Sequence, residues 1–167
     1  MIRFRLARPA DVPALRALVE RAYRGESAKQ GWTHEADLLD DERTSDAELA
    51  DAIASADARV LLALSEGELA GTVTIRNLGA GRAYLGMLCV DPALQAAGLG
   101  RALVADAEDM AAEEFGASVM EMTVIAIREE LIAWYERLGY VRTGETRPFP
   151  NGEDRPFRMA VLERRIG

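Results

Sequence analysis

Residues 90–103 read VDPALQAAGLGRAL, and they place glycine where a helix resists it. An apolar run stops at Asp91-Pro92. Gln95, Ala96, Ala97, Gly98, Leu99, Gly100 and Arg101 follow, and a helical pattern begins at once. Glycine inside a helix is costly. The first turn of a helix, however, carries backbone N–H groups with no acceptor inside the helix, together with a partial positive charge. With no side chains over them, those groups can donate directly to a phosphate. Gly98 and Gly100 bare the backbone, Ala96 and Ala97 keep the approach narrow, and Arg101 can add charge. The stretch therefore has the chemistry of a pyrophosphate cradle at a strand–loop–helix junction. A tight turn with close helix–sheet packing asks for the same glycines, so both readings stand at this point. The dinucleotide fingerprint fits poorly, because it wants three glycines after the first strand and an acidic residue roughly 20 residues later. No Gly-Lys-Ser/Thr follows, which excludes a P-loop.

Other chemistries have little material. The 167-residue chain has one cysteine, Cys89, and one histidine, His34. An internal disulfide is impossible, and neither a structural zinc site nor a serine–histidine–aspartate triad is expected. Cys89 sits in an apolar strand pattern and reads as a small core residue rather than a nucleophile. No metal site is expected. With 28 acidic and 20 basic residues the net charge is −8, which argues against a general nucleic-acid binder. No apolar run is long enough to span a membrane, and MIRFRLARPAD lacks the apolar core of a signal peptide. A soluble, cytoplasmic protein is the expectation, as one domain over residues 1–167.

The elements that must position the cradle follow from periodicity. In IRFRLAR, Ile2, Phe4 and Leu6 alternate with Arg3 and Arg5, a strand with one wet face. Val12, Leu15, Leu18, Val19 and Ala22 mark a helix face, after which residues 23–45 read as loop or short irregular helix. Ser45, with Glu48 three residues on, could cap a second helix that buries Leu49 and Ile53. Glu66-Gly67 joins two strands as a hairpin. RAYLGMLCV is a further strand whose apolar run suggests a central place, with Gly86 marking a bulge or a close ligand approach. A helix runs from Gly98 to about Phe115, with Leu99, Leu103, Ala107 and Met110 on one face and Gly116 past its end. SVMEMTVI is a strand. REELIAWYERLGY is a helix with Leu131, Trp134, Tyr135 and Leu138 on one side. Two more strands close the chain. The order β–α–α–β–β–β–α–β–α–β–β is that of a mixed α/β or α+β fold.

At this point the chain resembles the GNAT N-acetyltransferase superfamily. LCVDPALQAAGLGRAL is similar to its acyl-CoA signature, Gln/Arg-x-x-Gly-x-Gly/Ala, on a strand–loop–helix. WYERLGYVRTGE resembles its second signature, an aromatic-Tyr helix end followed by Leu-Gly-Phe/Tyr and a strand. The resemblance covers nearly the whole chain. It implies a central, mostly antiparallel mixed sheet of about seven strands flanked by about four helices. It implies acetyl-CoA as co-substrate, with the backbone of Leu88, Cys89 and Val90 pairing with the pantetheine arm like an added strand. Backbone N–H groups from Gln95 to Arg101 would hold the pyrophosphate. Tyr135 matches the tyrosine that often acts as general acid in this family, and its phenol could protonate the departing thiolate. One departure stands out: seven residues before that tyrosine, where asparagine is common, this chain has Arg128.

The resemblance also places an acceptor-side loop after the first helix, where GWTHEADLLDDERT offers Trp32 as a pocket wall and Glu35 as base or cation anchor. His34 reads as a bystander. Glu121 is a second base candidate, unless it lies on a wet sheet face. The expected activity is acetyl transfer to a primary amine of a small molecule or peptide by direct attack. The alternative is a non-catalytic CoA-binding sensor or structural module of the same fold. Neither nucleic acid nor membrane is expected as a partner, and look-alikes suggest a homodimer by analogy alone.

Overall fold

The computed structural model describes residues 1–29, 44–148 and 158–167. Its strands are β1 (Ile2–Leu6), β2 (Ala58–Ser65), β3 (Glu68–Gly79), β4 (Arg82–Val90), β5 (Val119–Ile125), β6 (Val141–Arg147) and β7 (Met159–Arg165). Four α-helices stand among the described residues: α1 (Val12–Lys29), α2 (Asp46–Ala54), α3 (Leu99–Phe115) and α4 (Glu129–Arg137). The sheet has seven strands in the order β1-β2-β3-β4-β5-β7-β6. β4 and β5 pair in parallel, whereas β1–β2, β2–β3, β5–β7 and β6–β7 are antiparallel. This is the mixed, mostly antiparallel sheet expected, with β4 at its centre. No helix among the described residues is long and apolar enough to cross a membrane.

The chain forms two compact units. One comprises Met1–Arg76 with Met87–Ala107, the other Asn77–Gly86 with Glu108–Gly167. In the first, Val12 and Leu15 of α1, Leu49 and Ala52 of α2, and Val60 and Leu62 of β2 pack into one apolar cluster, with Ile53 at its margin. The α1 face is buried as its periodicity requires. That helix continues through Gly25 to Lys29, beyond the loop start the polar composition suggested. Ser45 caps α2 by accepting from the Glu48 N–H at 3.1 Å. Glu66 and Gly67 both have positive φ, +52° and +82°, the geometry of a two-residue hairpin turn. In the second unit, Met120, Met122, Leu162 and Ile132 are fully enclosed.

β1 departs from expectation. Ile2, Phe4 and Leu6 are 41%, 37% and 41% exposed, although their β2 partners Leu61 and Ala63 are buried. The reason is position: β1 is an edge strand, with a neighbour on one side only. Arg5, from the expected wet face, is instead held by Asp11 through two hydrogen bonds of 2.8 and 2.9 Å. The α3 stripe also differs. Val104, Glu108 and Ala111 are buried beside Leu99, Leu103 and Ala107, while Met110 is only half-buried. On α4 it is Ile132 and Tyr135 that are buried, and Leu131, Trp134 and Leu138 are half-buried.

Candidate active site

β4 changes character along its length. Its ladder with β5 runs over three pairs, from Arg82↔Val119 to Tyr84↔Glu121, and ends there. Ala83 and Leu85 are buried, whereas Gly86 to Val90 are all half-exposed. The left-handed backbone of this strand falls one residue after Gly86. Met87 has φ +53°, left-handed backbone that a non-glycine residue adopts at a cost of roughly 1–2 kcal/mol. Gly86 answers a different need, since a Cβ there would lie 3.1 Å from the Tyr84 ring. Leu88, Cys89 and Val90 continue as strand, and Cys89 is half-buried rather than a core residue.

The strand then turns into the helix by a built junction. The Asp91 N–H donates to the Ala70 carbonyl at 2.8 Å, tying the turn to β3. The Asp91 carboxylate accepts from the Ala93 N–H at 3.0 Å and starts a 3-10 helix over Pro92–Ala97. Gln95, Ala96 and Ala97 form its last turn. Gly98 ends it at φ +73°, ψ 15°, and α3 begins with Leu99; the Ala102 N–H donates to the Gly98 carbonyl at 3.2 Å. A Cβ on Gly98 would meet no atom within 4 Å. Its backbone angle favours glycine, and the space above it is open. The first-turn N–H groups of α3, those of Leu99, Gly100 and Arg101, have by helix geometry no acceptor in the preceding turn of the same helix. The Leu99 side chain is buried and Arg101 is exposed.

Gly71, in β3, was not singled out by the sequence reading. A Cβ there would stand 2.9 Å from Leu103 Cδ1, 3.1 Å from the Cys89 carbonyl oxygen and 3.5 Å from Leu99 Cδ2. The missing side chain lets the start of α3 and the end of β4 close onto β3. Its signal was a glycine inside the strand pattern ELAGTVTI, which marks a close approach.

Tyr135 lies in the second unit, 7% exposed on α4. Its ring meets Trp134 edge-on at 4.9 Å and Tyr140 at 6.0 Å. Arg128 is the half-buried residue preceding α4, and it makes no side-chain capping bond. Glu121, the second base candidate, is 4% exposed and so does not lie on a wet sheet face. Arg82 donates to its Oε1 at 3.0 and 3.2 Å, and Arg147 Nη1 lies 3.0 Å from its Oε2. Arg82 also holds Glu163 at 2.8 Å and Arg147 holds Glu145 at 2.7 Å. Both oxygens of this buried carboxylate are thus taken up in a five-residue ion network. Nearby on the same two strands, the Tyr84 hydroxyl and Thr123 Oγ1 share a hydrogen bond of 2.6 Å. Trp32, His34 and Glu35 lie outside the described residues.

The acetyltransferase (GNAT) family model matches residues 14–140. The chain belongs to this family. The first GNAT signature, Leu88 to Leu103, falls within the matched span, and the second, Trp134 to Glu145, falls within it as far as Tyr140. No curated protein matches the sequence. Among solved structures, the GNAT fold is shared with the ribosomal-protein-S18-alanine N-acetyltransferase from Escherichia coli. The identity there is 21%, with 100% of this chain and 95% of that one covered and a TM-score of 0.75. The PaiA N-acetyltransferase from Thermoplasma acidophilum, solved with coenzyme A, is 18% identical over 99% of both chains, with a TM-score of 0.79. A GNAT acetyltransferase from Streptococcus pneumoniae is 18% identical over 100% of both chains, with a TM-score of 0.70.

Proposed function

We propose that this GNAT family member transfers an acetyl group from acetyl-CoA to a primary amine. The observation that carries the reading is the passage from Met87 to Arg101. A half-exposed strand with a left-handed residue leads through a capped 3-10 turn and an open, left-handed Gly98 into the head of a long helix. The donor set there is backbone N–H, which suits a doubly charged pyrophosphate rather than a metal or a neutral ligand. The open space above Gly98 fits such a group, and a second GNAT fold of similar shape was solved holding coenzyme A.

In this reading the amides of Gly98 to Arg101 bind the pyrophosphate, with Gln95 to Ala97 shaping the approach. The backbone of Leu88, Cys89 and Val90 pairs with the pantetheine arm and polarises the thioester carbonyl. The amine nitrogen attacks that carbonyl carbon, the C–N bond forms and the C–S bond breaks. Tyr135 gives its phenolic proton to the leaving sulfur, and the proton shed by the amine passes to water. Positioning and electrostatic stabilisation supply most of the rate. The acidic balance favours a cationic acceptor, a small molecule or a peptide amine, which Trp32 and Glu35 would help to hold.

The test is thiol release from acetyl-CoA over a panel of primary amines, run for the wild type and for Tyr135→Phe. Amine-dependent release that falls about a hundredfold or more in the variant is expected. Coenzyme binding by calorimetry with no release for any amine would favour a CoA-binding sensor instead.

A further inference from the structure

Glu108 is a carboxylate set into the apolar stripe of α3. Val104, Ala107 and Ala111 around it are at most 2% exposed, and Glu108 itself is 8% exposed. Both of its oxygens are engaged. The Tyr140 hydroxyl donates to Oε2 at 2.7 Å, and Arg164 Nη1 donates to Oε1 at 2.6 Å. Tyr140 is 1% exposed. Burial first, and the bond to Glu108 second, push its phenol far above its ordinary value, so it stays a neutral donor.

The other end of Tyr140 is tied to Tyr135. The Tyr140 N–H donates to the Tyr135 carbonyl at 3.1 Å, and the two rings meet edge to face at 74°. Between them stands Gly139, at φ +102°. A Cβ there would lie 2.9 Å from Arg164 Nε, so the guanidinium lies against the backbone that joins the two tyrosines.

We propose that Glu108, Tyr140 and Arg164 form a positioning device that holds the Tyr135 phenol in place for proton transfer. This rests on Tyr135 being the proton donor. A plain aromatic ring at position 140 would supply the apolar wall against which Tyr135 stacks. The hydroxyl adds a fixed point at the far end of the ring, and Glu108 anchors it to α3. Stability alone is a poor reason for the arrangement, because taking the Glu108 carboxylate out of water costs about as much as its bonds to the partly exposed Arg164 and to the neutral Tyr140 hydroxyl return. What such a trio supplies is a single geometry, and an aromatic acid held in one orientation needs that.

A double-mutant cycle on kcat separates positioning from general support. Tyr140→Phe is expected to lower kcat about tenfold, with KM for acetyl-CoA unchanged within about twofold. In a Tyr135→Phe background the same change is expected to cost nothing further. An equal loss in both backgrounds would overturn the proposal. Full kcat in Tyr135→Phe alone would remove the proton-donor reading itself, and this proposal with it. A readout independent of turnover is tyrosine-ring ¹³C NMR of the free protein. The Tyr135 resonance should shift or broaden in Tyr140→Phe while that of Tyr84 stays in place, and an unmoved Tyr135 resonance overturns the proposal. If Tyr140→Phe does not fold, Glu108→Gln carries both measurements.

Discussion

Gly71 faces Leu103 so closely that a single added carbon would stand 2.9 Å from Leu103 Cδ1. The contact sets how near the first turns of α3 lie to β3, and with them the amides proposed to hold the pyrophosphate. Gly71→Ala should cost roughly 1–3 kcal/mol of stability by overpacking. It should also weaken coenzyme A binding about tenfold. Adding Leu103→Val, which removes the clashing carbon, should recover part of both. Thermal unfolding and calorimetric titration with coenzyme A check this, and unchanged affinity in Gly71→Ala would separate the residue from the site.

Gly98 can be tested for its two possible duties separately. Gly98→Ala meets no neighbour but places a Cβ at φ +73°, a cost of about 1–2 kcal/mol. Asparagine tolerates that backbone better, so Gly98→Asn should be the more stable variant. If the position serves the phosphate as well as the turn, Gly98→Asn should still lose coenzyme affinity, because its side chain covers the amides. Recovery of affinity together with stability would reduce Gly98 to a turn residue.

Glu121 is expected to be structural. Arg82 keeps Glu163 and Arg147 keeps Glu145 when the Glu121 charge is removed, and both arginines are more than one-third exposed, so Glu121→Gln should lose about 1–2 kcal/mol of stability. The acid-side limb of the kcat–pH profile, where a general base would take up its proton, should stay where it is in the wild type. Disappearance of that limb with stability intact would restore Glu121 as a base.

The Arg5–Asp11 pair makes stability depend on acid. The Arg5 hydrogen bonds, helped by the Arg8 N–H, hold the Asp11 carboxyl at about 2 against an ordinary 3.8. A folded value below the unfolded one means the contribution is complete above pH 3.8 and fades as the pH falls through about 2. With Arg5 one-third exposed, about 1–2 kcal/mol is expected at neutral pH. Asp11→Asn should therefore be less stable than wild type at pH 7, and chemical denaturation near pH 2 should show the two converging.

How far these features could be read in advance depends on how local they are. β4 was read to its exact bounds, and α3 to within a residue, because apolar periodicity and a glycine at each end are properties of neighbouring residues. Ser45 was found for the same reason, its capping bond reaching only three residues along. The ion pairs of Glu121 are not legible in the same way, because Arg82 and Arg147 reach it from β4 and β6 and no spacing within VMEMT announces them.

The sequence by itself determined the family, the seven strands and the junction of strand, turn and helix at Asp91 to Arg101, since each is written in backbone preference and side-chain period along a continuous stretch. Only the tertiary structure decided which polar groups are buried and with whom. It left Ile2, Phe4 and Leu6 exposed at an edge, put left-handed backbone at Met87, and joined Glu108 to Tyr140 and Arg164 over separations of 32 and 56 residues. The reason is physical: a torsion preference acts between adjacent residues, whereas desolvation and ion pairing depend on whatever the strand register brings within about 3 Å.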